Sequence, residues 1–229
     1  MSLRGFIKEK ENKKNHFTWN GIEVFIKDPV PNKEVSITKA LEIIKEKIPM
    51  HLMRDIESIY MGDFDFLNGR DIQATYENSS IFLTNNQSSV SDMADDIVHE
   101  IAHSVENMHQ REIYEDGLLE KEFLNKRSQL YSVLKSEGYP VSLHFFMEPS
   151  YNKDFDDYLY KEIGYPVLNM ISTSIFYSPY AATSLREYFA NGFEAFFYYG
   201  DYDFIKKSCP HLFAKLTLLL EIEDDRKYY

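Results

Sequence analysis

With 229 residues, the chain can bury one sizeable core or fold as two small lobes around a cleft. Its 37 acidic residues against 25 basic ones give a formal net charge of -12, which argues against DNA, RNA or an anionic membrane as a main partner. The 17 Tyr and 17 Phe exclude a disordered acidic chain, which lacks the large apolar groups needed for a core.

In chain order, the run Ile22-Glu23-Val24-Phe25-Ile26 alternates as a strand does, and Pro29 and Pro31 stop it. Ser36 or Thr38 can cap a helix in which Ile37, Leu41, Ile44 and Ile48 recur at helical spacing as far as Pro49. The period then shortens. Residues 56–61 predict a strand, Asn68-Gly69 a turn, residues 72–76 a second strand and 80–84 a third, with Glu77-Asn78-Ser79 as the hairpin connection. The third strand leads directly into the next helix and is expected to line a cleft, where an extended peptide can add itself edge to edge.

The next helix is expected over residues 91–109, capped by Ser89 with Asp92 closing the box. Met93, Ile97, Ile101 and Val105 form its apolar stripe, and Ala94, Val98 and Ala102 keep the adjoining face narrow. Residues 112–137 read as mostly helical up to Gly138-Tyr139-Pro140, and 144–179 as short helices and loops, with 158–163 one helical piece. Ser184 caps a helix whose apolar face carries Leu185, Phe189, Phe193, Phe196 and Phe197; Gly200-Asp201-Tyr202 ends it, and a last helix covers about 209–221. There is no repeat, low-complexity linker or clear boundary. A single domain over 1–229 is expected, with residues 1–34 a polar, partly flexible extension that holds Lys8, Lys10, Lys13 and Lys14.

Cys209 is the only cysteine, so no intramolecular disulfide forms, which fits a reducing compartment. The first ten residues lack the apolar run of a secretory signal, and no stretch approaches the length of a membrane span. The simplest expectation is a cytoplasmic protein without a membrane partner. Signal-independent export and a processed chain are the alternatives.

The chemistry is concentrated in His99-Glu100-Ile101-Ala102-His103. Residues four apart on a helix share a face, so His99 and His103 can grip one zinc ion from adjacent turns, and Glu100 lies close enough to polarise water at the same metal. That arrangement is the core of a metallopeptidase site, which needs three protein ligands and one open position. Glu106 follows His103 by three residues, but a continuous helix carries it past the metal. It is a weak ligand and a better supporting neighbour to the site or a surface residue. Asp95 and Asp96 stand four and three residues before His99, where either can accept a hydrogen bond from a ligand imidazole or favour the helix start. His16, His51, His109, His144 and His211 have no paired spacing.

For the third ligand, Glu187, Asn191 and Glu194 make a polar stripe at i, i+4 and i+7 on an otherwise aromatic helix. Acidic groups in such a setting need a partner. Glu187 also has the spacing to close a capping box with Ser184 without touching a metal, and position alone leaves the two readings balanced.

The pairing of HExxH with a later Tyr-x6-Glu-aromatic-Phe-Ala segment, here Tyr180 to Ala190, resembles the anthrax lethal factor-type zinc peptidases. That group also includes secreted bacterial Pro-Pro endopeptidases. The resemblance implies that His99, His103 and Glu187 bind Zn2+, that Glu100 is the base and that Tyr180 supports the oxyanion. It covers the HExxH helix and the block from Tyr180 to Phe197, and is looser over the preceding strands. Asn191 stands where the family commonly has a second glutamate, and Ile101 and Ala102 where it often has a small residue and glycine.

Residues and resemblance together give an α+β, zincin-like metallopeptidase fold with a small sheet, an HExxH helix and a largely helical C-terminal part. The expected activity is zinc-dependent endopeptidase hydrolysis of peptide or protein substrates. A non-catalytic zinc-binding regulatory or structural protein is the alternative, and it would have no use for Glu100 or Tyr180. Substrate preference and oligomeric state are not legible in the sequence.

Overall fold

The computed structural model describes residues 15–67 and 72–222; the expected Asn68-Gly69 turn and Lys8, Lys10, Lys13 and Lys14 lie outside them. The chain divides into two compact units, Met1–Val105 and Glu106–Tyr229. The fold is α+β, with a small mixed sheet and the HExxH helix followed by a largely helical C-terminal region.

In the first unit, β1 (His16–Trp19) and β2 (Ile22–Ile26) form an antiparallel hairpin. Asn20 and Gly21 turn it with φ of 49° and 89°, the left-handed pair that matches the twist of the strands. After β2 comes α1 (Ile37–Lys47), which buries Ile37, Leu41 and Ile44 as the spacing predicts. This helix makes the crossover that lets β3 (Ser58–Gly62) lie parallel to β2. A second hairpin, turned at Asn78 and Ser79 with φ of 49° and 60°, joins β4 (Ala74–Glu77) to β5 (Ser80–Thr84).

The strand order is β1-β2-β3-β5-β4, with β5 parallel to β3 and antiparallel to β4. The expectation that the third predicted strand offers its edge to a peptide is therefore corrected. Both sides of β5 are paired, and the sheet border next to it belongs to β4.

Val24, Ile59, Met61, Ile81 and Leu83 are buried on one face of the sheet. Across the other face His16, Phe25, Tyr60 and Phe82 stack in register, with ring centroids 4.5, 4.9 and 5.2 Å apart. Helix α2 (Val90–Met108) starts where expected: the Ser89 hydroxyl accepts the Asp92 N–H at 3.0 Å. Met93, Ile97, Ile101 and Val105 are at most 1% exposed. Each such side chain contributes roughly 1.5–3 kcal/mol, so the stripe fixes the rotation of the helix. That rotation sets His99 and His103 on its flank. The helix runs unbroken through the division at residue 105.

The second unit begins with the last turn of α2 and continues through α3 (Gln110–Tyr114) into the long α4 (Leu118–Ser136). Gly117, with φ of 66°, separates α3 from α4. Short helices α5 (Leu143–Met147), α6 (Lys153–Asp157) and α7 (Tyr165–Ser172) follow, with a π-helical turn, Tyr158–Ile163, between the last two. Arg127 of α4 is buried among Phe123, Phe146 and Phe155 and donates to the carbonyls of Phe145 and Glu148, each at 2.5 Å, which ties the end of α5 to α4.

A 3-10 turn, Tyr180–Ala182, precedes α8 (Leu185–Phe193), which passes into a π-helical segment, Glu194–Tyr199. The chain then forms α9 (Tyr202–Ser208), which the sequence reading missed, and α10 (Pro210–Glu221). Gly192 is where α8 meets α10: a Cβ there would lie 2.2 Å from Leu212 Cδ2. Only glycine permits that approach.

Candidate metal centre

The ligand-capable atoms of His99, His103 and Glu187 lie within 4.8 Å of one another. The imidazoles come from adjacent turns of α2, with ring centroids 4.8 Å apart and planes crossing at 84°. Two imidazoles and one carboxylate are a donor set that zinc accepts while leaving a position for water or substrate. The residues present therefore fit a single Zn2+. Among the described residues, no other group of three His, Cys, Asp or Glu side chains gathers in this way.

Both readings of Glu187 hold together. The Ser184 hydroxyl accepts its backbone N–H at 3.2 Å, the helix cap predicted from spacing. The cap engages the main chain and leaves the carboxylate to the cluster. Glu106 and Glu194 are outside the cluster. Glu106 accepts the Tyr114 hydroxyl at 2.6 Å and faces Arg186 Nε at 3.2 Å. It thus fastens the last turn of α2 to the residue preceding Glu187.

Asn191 has a clear position. Its side-chain amide donates to the Glu187 carbonyl at 3.0 Å, and its side-chain oxygen accepts the Ser178 hydroxyl at 2.5 Å. Ser178 Oγ in turn accepts the Ala181 N–H at 3.2 Å. Asn191 thereby anchors the turn that carries Tyr180. Burial first, and then the charge of Glu187, push the Tyr180 phenol well above its ordinary value.

Glu100 is 7% exposed, and its Oε2 accepts the backbone N–H of Tyr76 at 2.6 Å. The Tyr76 hydroxyl donates to Asp55 Oδ2 at 2.5 Å. Sequence reading missed Asp55 and Tyr76, because neither belongs to a motif and three separate segments bring them to Glu100. Asp96 receives a hydrogen bond from Gln87 at 3.1 Å. Burial pushes its carboxyl up to about 7; that bond opposes the rise, Asp95 adds to it, and His99 opposes it.

Comparisons with protein-family models, with curated proteins and with solved structures found no match. No helix among the described residues is long and apolar enough to cross a membrane. The HExxH pair with Glu187 forms a zincin-type, metal-dependent peptidase active site, and a peptidase site of this kind acts on a peptide or protein substrate.

Proposed function

We propose that the chain is a zinc endopeptidase of the lethal factor type, with Glu100 as general base and Tyr180 as oxyanion donor. The observation that carries the proposal is the gathering of His99, His103 and Glu187 with the HExxH glutamate intact. His99, His103 and Glu187 would hold a zinc ion, which would supply Lewis acidity toward water and the scissile carbonyl. Glu100 takes the proton as water attacks and returns it to the leaving amine. Tyr180 donates to the oxygen on which charge develops. Asn191 supports this role from a position where the family commonly has glutamate, since it holds the Ser178–Ala181 turn through the bonds given above. The whole chain is proposed to act as one peptidase unit.

A mixed fluorogenic peptide library tests the proposal. Zinc-loaded wild type is expected to cleave members of it. Glu100→Gln is expected to keep its zinc and lose about 10²–10⁴-fold in turnover. Tyr180→Phe is expected to lower kcat with KM nearly unchanged. Full turnover in Glu100→Gln would contradict the proposed base.

A further inference from the structure

We infer that Asp55 and Tyr76 are positioning residues for Glu100, which they hold against the border of the sheet through the Tyr76 peptide N–H. The inference rests on the peptidase reading of Glu100. In the β4–β5 pair the Thr84 N–H donates to the Gln73 carbonyl at 2.8 Å. Backbone groups of alternate residues point the same way, so Gln73, Thr75 and Glu77 turn toward β5 while Ala74 and Tyr76 turn outward. The Tyr76 N–H is thus a border group outside the ladder. It is spent on Glu100 Oε2 at 2.6 Å, a short bond strengthened by the carboxylate charge.

The Tyr76 ring secures that N–H. Tyr76 pairs across the ladder with Ile81, which is fully buried, so its side chain lies on the core face. Its hydroxyl reaches Asp55 Oδ2 at 2.5 Å, and Asp55 sits just after the 3-10 turn Met50–Met53, before β3 begins. Burial, and next the bond to Asp55, raise the Tyr76 phenol above its ordinary value and keep it the donor. A four-residue border strand has one paired side and frays readily; the Asp55 anchor ties it to the turn before β3. A glutamate side chain has several rotatable bonds and loses much rotamer freedom when it is fixed. A fixed backbone donor removes much of that freedom before substrate arrives, which general-base chemistry rewards because a misplacement of about 1 Å costs about 10²-fold.

Two measurements test the inference. In zinc-loaded protein labelled with 15N-tyrosine, the Tyr76 amide proton is expected far downfield. It should move upfield in Glu100→Ala and part of the way in Asp55→Asn. On a fluorogenic peptide that wild type cleaves, Asp55→Asn and Tyr76→Phe are each expected to lower kcat about tenfold, with KM and zinc content unchanged. The double variant should fall no further than either single one. Added to Glu100→Gln, neither change should have an effect, whereas a general loss of structure would lower the residual rate as well. A Tyr76 amide indifferent to Glu100→Ala overturns the inference whether or not any peptide is cleaved. So does wild-type kcat in both single variants. Absence of cleavage by zinc-loaded wild type counts against the peptidase reading, and the amide resonance still decides the positioning.

Discussion

Glu100 on α2 and Glu122 on α4 are both nearly buried, at 7% and 8% exposure, yet their surroundings differ in kind. Glu122 serves the architecture of its unit. Its Oε1 accepts the Tyr188 hydroxyl at 2.9 Å and the Leu212 N–H at 3.1 Å, and its Oε2 accepts the His211 N–H at 2.7 Å. These bonds join α4, α8 and the start of α10, where the positive end of the helix dipole favours a carboxylate. Glu100 is held instead by a backbone donor from a short border strand and stands next to His99 of the candidate metal cluster. A carboxylate that staples three helices cannot move without loosening them. One gripped by a strand border can exchange a proton and keep its place.

Truncating each glutamate should separate the two roles. Glu100→Ala is expected to lose about 10²–10⁴-fold in turnover and little stability, measured by peptide cleavage and thermal melting side by side. Glu122→Ala should do the reverse. It leaves a buried hydroxyl and two helix N–H groups without an acceptor, at a cost of about 3 kcal/mol, while the folded fraction keeps its turnover. Denaturant titration with active-site counting measures both.

Glu106 lies between these extremes, since it pairs with Arg186, the residue before Glu187, and accepts the Tyr114 hydroxyl. Glu106→Gln is expected to weaken zinc binding about tenfold, as loss of supporting contacts around metal ligands typically does, measured by competition with a chelator.

A smaller effect is expected from Asp96. Its folded-state value of about 7 exceeds the unfolded value of about 3.9, so the folded protein binds the extra proton. Stability from this group is fully present below about pH 4 and is lost as pH rises through about 7. Asp96→Asn should therefore gain on wild type over that window, by about 1–2 kcal/mol, in melting curves of metal-stripped protein. The smallest effect belongs to the exposed pair Lys153–Asp157, 2.5 Å apart on α6. Lys153→Ala should leave thermal melting indistinguishable from wild type.

Legibility in the sequence followed how local the signal was. Helix α1 and strands β2 and β5 lie where periodicity puts them, and α2 starts at its Ser89 cap, because packing reinforces each local preference; Ser36 precedes α1 without a side-chain cap bond. The strand expected at 56–61 begins at Ser58, because Ile56 still closes the preceding turn through Met53. β1 was missed although Asn20-Gly21 is a strong hairpin signal; the four residues before it, His16-Phe17-Thr18-Trp19, are too short and polar to announce a strand alone. The strand order, which gives the border to β4, depends on long-range pairing that no local pattern encodes.

At the site, His99 and His103 were legible from helical spacing, while spacing alone left Glu187 balanced between cap and ligand and only the family resemblance favoured the ligand; Ser184 takes the Glu187 N–H, and the carboxylate lies in the cluster. Asp55 and Tyr76 carried no signal, since their bonds to one another and to Glu100 join residues 21 and 24 positions apart.

The most direct test is a zinc titration of metal-stripped wild type beside Glu187→Ala, His103→Ala and Glu194→Ala, read by stoichiometry and by X-ray absorption at the zinc edge. One zinc per chain is expected in wild type and in Glu194→Ala, with two imidazoles and a carboxylate around it, and sharply weakened binding in the other two variants. Undiminished zinc binding in Glu187→Ala, or a wild-type chain that takes up no zinc, would contradict the metal centre described here.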